Sequence, residues 1–259
     1  PPGSALTASA LAVRLGRQLG LAEDDRSALY YACITRFIGC TSTSEDTAAI
    51  TFGDELTPYI ALSLADLADP ASVRSELAAR ALPDAPQEAR AALFDGLAAM
   101  GPDLMRLGSA HCAQAMSLTR RLPVPSQVPD ILGRLESRWD DLHPAGPDLL
   151  PETRIIEFAV VAELHRRVGG RRSMVEVALA RNGTQFAPDV VAAFLDDPAG
   201  LTAGFDRTKE WQTDLDSEPG PKRWIDRSDL RSVAMAFADF TDNKSRWFVG
   251  HSRQGAGLV

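Results

Sequence analysis

From Pro151 to Val168 the chain spaces Ile155, Ile156, Phe158, Ala159, Val161 and Leu164 at short intervals that return every three or four residues. That period lays apolar side chains along one stripe of an α-helix, whereas a half-buried strand would need strict alternation. Gly169-Gly170 then interrupts the pattern. Ala5 to Leu19 repeats the device, with Leu11, Leu15 and Leu19 four apart and Gly20 just beyond, where a helix ends on glycine without steric cost. Helices are also predicted over Asp24–Ile38 (closed by Gly39), over 44–68 with a break near Gly53 and Pro58, from Asp69-Pro70 to Ala81, and over Pro86–Met100 and Asp103–Arg120. Further ones are predicted over Pro129–Trp139, Arg172–Arg181, Pro188–Leu195 and Asp226–Thr241. Period-two alternation is nowhere sustained, so the chain reads as all-α.

Composition narrows the class. Of 259 residues 45% are hydrophobic and only 7% aromatic, with Ala and Leu dominant, which feeds a packed helical core better than a sheet. The net charge of −8 argues against a broad nucleic-acid footprint on this segment. No apolar run reaches the roughly 18 residues of a membrane span, and no signal peptide is read, so a cytoplasmic protein is expected. The three cysteines, Cys33, Cys40 and Cys112, form no CxxC or Cys/His cluster and read as reduced, buried thiols. The chain opens Pro1-Pro2-Gly3-Ser4 without methionine and is expected to be a fragment of a longer protein.

Several separated motifs carry a family resemblance. Gly183-Thr184-Gln185-Phe186-Ala187-Pro188-Asp189-Val190-Val191-Ala192-Ala193-Phe194 resembles the closing signature of HD-GYP domains, a branch of the HD-domain metal phosphohydrolases. Arg138-Trp139-Asp140-Asp141-Leu142-His143-Pro144 looks like a shortened Arg-Trp-Asp-Gly-x-Gly-Tyr-Pro, and Arg154-Ile155-Ile156 sits where the family has Arg-Ile. Tyr30 to Cys40 has the outline of the helix that elsewhere holds the His-Asp metal pair. The resemblance spans about residues 4–196. It implies an HD-domain helical bundle with a GYP-like helical extension, and it extends to actinobacterial regulators with a LuxR-type helix-turn-helix.

The family's reaction needs divalent metals clustered by His and Asp/Glu, so that a bridging hydroxide can attack a phosphodiester. The resemblance places the opening histidine near Ser4 (or Ala5), the His-Asp pair on Arg36 and Phe37, and the phosphate-contacting lysine on Cys40. It puts a mid-domain histidine on His111, the His-His-Glu run on Leu135-Glu136-Ser137, and the final aspartate on Val160. Arginine has no lone pair to offer, and phenylalanine and valine are no ligands. The loop that in the family helps select cyclic di-GMP is reduced to Leu142-His143-Pro144.

A catalytically inactive regulatory or interaction domain of a cytoplasmic signalling protein is therefore the leading expectation. No cofactor is expected, and a divalent metal only if the site works after all. Two alternatives accompany it. Arg36 could hold a small anion or nucleotide, or instead pair with Glu136. A phosphodiesterase could use atypical ligands from His111, Glu136, Asp140 and His143. His165-Arg166-Arg167 reads as basic residues at the negative end of a helix dipole.

The tail from Phe237 to Arg253, with Asp239, Asp242, Lys244-Ser245 and Gly250-His251-Ser252-Arg253, resembles the start of a second HD domain. There His251 would be a first metal ligand only in a complete domain. The expected organisation is thus residues 4–200 as the degenerate domain, 201–235 as a linker with a helical piece, and 236–259 as the truncated second start. Expected partners are a protein or the protein's own C-terminal domains. A homodimer stays open, and neither membrane nor nucleic acid is expected to bind this segment.

Overall fold

The computed structural model describes residues 3–43, 45, 56–80, 86–99, 101–135, 137–141, 148–205 and 215–256. Helices run over α1 Ser4–Gln18, α2 Glu23–Thr35, α3 Leu56–Leu64, α4 Pro70–Arg80, α5 Gln87–Ala99 and α6 Gly101–Thr119. They continue with α7 Val128–Leu132, α8 Pro151–Ala180, α9 Pro188–Asp196, α10 Pro198–Leu201, α11 Arg227–Asp242 and α12 His251–Ala256. Tight 3₁₀ segments cover Arg36–Thr43 and Arg246–Phe248. Among the described residues there is no strand, only an isolated bridge between Asn182 and Phe186. The fold is all-α, as the periodicity predicts.

Proline sets several of the helix starts. Pro70, Pro151, Pro188 and Pro198 each occupy the first turn of their helix, where the missing N–H has no intrahelical partner to lose. Asp69 accepts the Ala71 N–H at 2.9 Å, and Asp197 accepts the Gly200 N–H at 2.8 Å, so both prolines follow a capping carboxylate.

The chain divides into two compact units. The first comprises Pro1–Phe37 and Ala115–Ala236, the second Ile38–Gln114 and Phe237–Val259. In the first, α1 packs on α2 and α8, and α2, α7 and α9 also pack on α8. The first half of α8 is the centre of this unit: Phe158, Ala159, Val160, Val161, Ala162 and Glu163 are consecutive and all buried. Six buried residues span more than one turn, so the helix has no solvent face there. Phe158 is edge-on to Phe186 at 5.2 Å and tilted against Phe194 at 5.0 Å, tying α8 to the turn before α9 and to α9 itself.

In the second unit α3 packs on α4. The end of α11 is fixed by the 3₁₀ segment, where the Thr41 hydroxyl donates to the Phe240 carbonyl at 3.3 Å. The motif residues of the tail bond to one another. Asp242 is buried and accepts from the Ser252 N–H at 2.9 Å and its hydroxyl at 2.6 Å, and Arg253 pairs with Asp239.

Two predicted elements come out differently. The helix expected over Asp24–Ile38 tightens to 3₁₀ at Arg36 and runs through Gly39 as far as Thr43. The helix expected over Pro129–Trp139 begins at Val128 and ends at Leu132, and the Trp139 N–H donates instead to the Gln185 carbonyl. The break predicted at Gly169-Gly170 is present: both residues leave helical φ/ψ, Gly170 with φ 69°, so α8 consists of two helices, one before and one after it. Of the 44–68 helix and the 201–235 linker, residues 44, 46–55 and 206–214 lie outside the described residues.

Phe158→Ala removes the ring on which Phe186 and Phe194 converge. It is expected to destabilise the protein by about 3–5 kcal/mol, read as a lower urea midpoint, with Phe158→Leu costing less.

Candidate functional site

The three motifs that are separate in sequence meet in space. After α8, Gly183 takes φ 75° and lets the chain turn back, so that the Gly183 N–H reaches the Phe186 carbonyl at 2.9 Å and the Phe186 N–H the Arg181 carbonyl at 3.0 Å. The outward carbonyls of Gln185 and Thr184 then accept the N–H groups of Trp139 (3.2 Å) and Asp140 (3.0 Å). The Gln185 side chain donates to Glu157 at 2.6 Å and accepts from Arg181 at 2.9 Å. Arg154 lies over the Trp139 ring at 5.7 Å and pairs with Asp189 at 3.0 Å. Each motif thus satisfies polar groups of the others.

The positions that would carry metal ligands sit on the same framework. Ser4 opens α1, Arg36 and Phe37 follow α2, Leu135 follows α7, and Val160 lies in mid-α8, all on elements of the first unit. The Arg36 guanidinium lies 4.8 Å from the centre of the Phe37 ring, a cation–π pair at the position where the sequence resemblance expects a His-Asp pair. Val160 is 6% exposed and Leu135 8%, so both positions serve as core. This donor set does not fit a divalent cation, since none of Arg36, Phe37, Leu135 and Val160 offers a lone pair to one. Among the described residues no group of three or more His, Cys, Asp or Glu side chains is arranged to hold a metal.

One turn beyond Val160 the core carries a charge that sequence reasoning did not single out. Glu163 is fully buried and bonded by Arg166 at 2.7 and 3.0 Å and by Arg167 at 2.7 Å; Arg167 also donates to the Thr7 hydroxyl at 3.3 Å. Arg166 and Arg167, in the last turn before the Gly169-Gly170 break, are both bound to this carboxylate. The available signal was the Glu-to-Arg spacing of three and four residues. His165 instead contacts the Ser173 hydroxyl across the kink, at 3.2 Å.

The remaining candidates are dispersed. Asp140 is held by Arg138 at 2.8 and 3.3 Å, and that hydrogen bond keeps its carboxyl below the usual carboxylate range. His111 lies on α6 in the second unit, half-buried, and burial lowers its pKa. His251 is exposed at the start of α12, edge-on to Phe248 at 5.7 Å. Glu136 and His143 lie outside the described residues, and with them the Arg36–Glu136 pair.

No family model matches the chain, and no curated protein matches its sequence. Among solved structures it is similar to a cyclic GMP-AMP specific phosphodiesterase of V. cholerae (V-cGAP3), with a TM-score of 0.69 at 18% sequence identity, over 98% of this chain and 58% of that one. The likeness is one of fold, an all-α arrangement shared with that phosphodiesterase. The chain spans under three fifths of that protein's length. Among the described residues no helix is long and apolar enough to cross a membrane.

Cys33, one turn before Arg36, gives this region a titration signature. Burial pushes its thiol up to about 12, with the Arg36 charge pulling the other way. An unfolded chain releases that proton near 9.0, so the folded state keeps its full stability below that pH and loses it progressively as pH rises towards about 12. A thiol reagent at pH 8 is expected to label the half-buried Cys40 and Cys112 promptly, and Cys33 only after denaturation.

Proposed function

We propose that this chain is a catalytically inactive domain on the HD-domain phosphodiesterase fold, used for regulation or protein interaction within a signalling protein. The observation that carries the reading is the Arg36–Phe37 cation–π pair at the place of the metal-holding His-Asp pair, with buried Val160 at the place of the last aspartate. The framework bonds of Gln185, Trp139 and Arg154 support it, because they hold the fold together independently of any metal. A cytoplasmic location and a LuxR-type output rest on the sequence alone. So does the reading of residues 236–259 as the opening of a second HD domain, which would be the natural partner of this one.

Two other readings have support. The likeness to a cyclic GMP-AMP specific phosphodiesterase favours a working phosphodiesterase with atypical ligands. Of the residues it would use, Asp140 already gives its carboxylate to Arg138. An anion or nucleotide sensor built on Arg36 has the guanidinium it needs, with one face spent on Phe37.

Elemental analysis of the purified protein is expected to find iron, manganese and zinc far below one equivalent. No manganese-dependent hydrolysis of cyclic GMP-AMP, cyclic di-GMP or an aryl phosphodiester is expected. Stoichiometric metal, or turnover that scales with added manganese, would overturn the reading. Installing the pair by Arg36→His with Phe37→Asp is expected to leave the protein inactive, since Leu135 and Val160 still lack donors.

A further inference from the structure

A cavity of about 380 Å³ lies within the first unit, between the α1–α2 hairpin and the segment Asp216–Gly220. Its volume is in the range of small-molecule sites, roughly 300–1,000 Å³. It is remote from the degenerate metal positions: Arg26, which lines it, is ten residues before Arg36, about 15 Å along a helix axis.

The outer wall is held in place by named bonds. The Tyr31 hydroxyl donates to the Glu218 carboxylate, which also accepts the Arg223 N–H at 3.2 Å, and Lys222 pairs with Asp216 at 3.4 Å. Gly220 takes φ 72°, and a Cβ there would meet the Glu23 carboxylate at 3.2 Å, so the backbone turns closely against the start of α2. Val13 and Pro219 give the cavity apolar surface between its charged groups.

Three arginines line the cavity, and they are not equivalent. Arg14 donates to the carbonyls of Leu201 and Ala203 at 2.8 and 3.0 Å and lies over Phe205 at 4.8 Å, which makes it a structural brace. Arg17 and Arg26 make no side-chain hydrogen bond or ion pair among the described residues, and the Arg26 Nε is buried without an acceptor. A buried donor left unsatisfied is costly, and proteins keep few of them. Of the carboxylates, Glu218 and Asp216 are engaged as above, while Glu23 at the rim has no such partner. The uncommitted groups are therefore two guanidiniums and one carboxylate around one space.

Guanidinium forks match phosphate and carboxylate oxygens, and a carboxylate accepts from hydroxyl or amino groups. We propose that this cavity binds a small polar metabolite, setting a phosphate or carboxylate against Arg17 and Arg26 and a hydroxyl or amino group against Glu23. The site is separate from the metal positions and does not depend on whether they are active.

Isothermal titration calorimetry of the whole chain tests this with adenosine monophosphate, citrate and neutral adenosine. Saturable binding of the phosphate or the carboxylate probe is expected, with none for adenosine, and the better of the two says which anion the site takes. Arg26→Gln and Arg17→Gln should each weaken binding at least tenfold. Arg172→Gln, on the exposed part of α8, should not change it. Circular dichroism checks that each variant is folded, and the exposed Arg17 carries the test if Arg26→Gln is not. The proposal is overturned if neither anion binds, if binding survives both substitutions, or if Arg36→Gln abolishes it while Arg26→Gln does not. Metal content and turnover are read separately, so this site can fail while the inactive-domain reading stands, and the reverse.

Discussion

The burial of α8 from Phe158 to Glu163 governs the rest of the first unit. A helix without a solvent face admits a charged side chain only where that charge is matched in place, since removing an ion from water costs several kcal/mol even after relaxation. Glu163 meets the condition with two arginines of its own helix and a link to Thr7 on α1. Val160, one turn earlier, meets it by being apolar. An aspartate at 160 would need a metal or another cation beside it. A buried ligand position without a cation beside it must be apolar or find its own partner. The Arg36–Phe37 pair is the second solution, a cation lying on the ring of its neighbour.

The framework does not depend on those positions. Backbone bonds from Trp139 and Asp140 to the 184–185 carbonyls, the Arg154 contacts and the three phenylalanines join α8, α9 and the 137–141 loop without any metal. A fold whose connections are made by main chain and core can lose its chemistry and keep its shape. It can also carry a ligand elsewhere, and the far end of the α1–α2 hairpin has the cavity and the uncommitted arginines for one.

Much of the helical layout was legible because it rests on local period and punctuation: Leu11 and Leu15 are buried as their spacing requires, and prolines open the helices they precede. The departures fall where a distant group outbids local preference. Gly133 to Trp139 looks helical by composition, but the Gln185 carbonyl takes the Trp139 N–H. Arg166 and Arg167 look like surface cations until Glu163 is seen to be fully buried.

By itself, the sequence determined the helical class and the chemistry of the side chains at Arg36, Phe37 and Val160, because periodicity and residue chemistry are written residue by residue. Only the tertiary structure decided that Val160 is core, that Asp140 is tied to Arg138, and that Glu163 stands inside α8. It also decided that Arg17 and Arg26 share a cavity with a segment some 190 residues away in the chain. Burial and proximity between distant residues are properties of the packed chain, and no local pattern of residues encodes them.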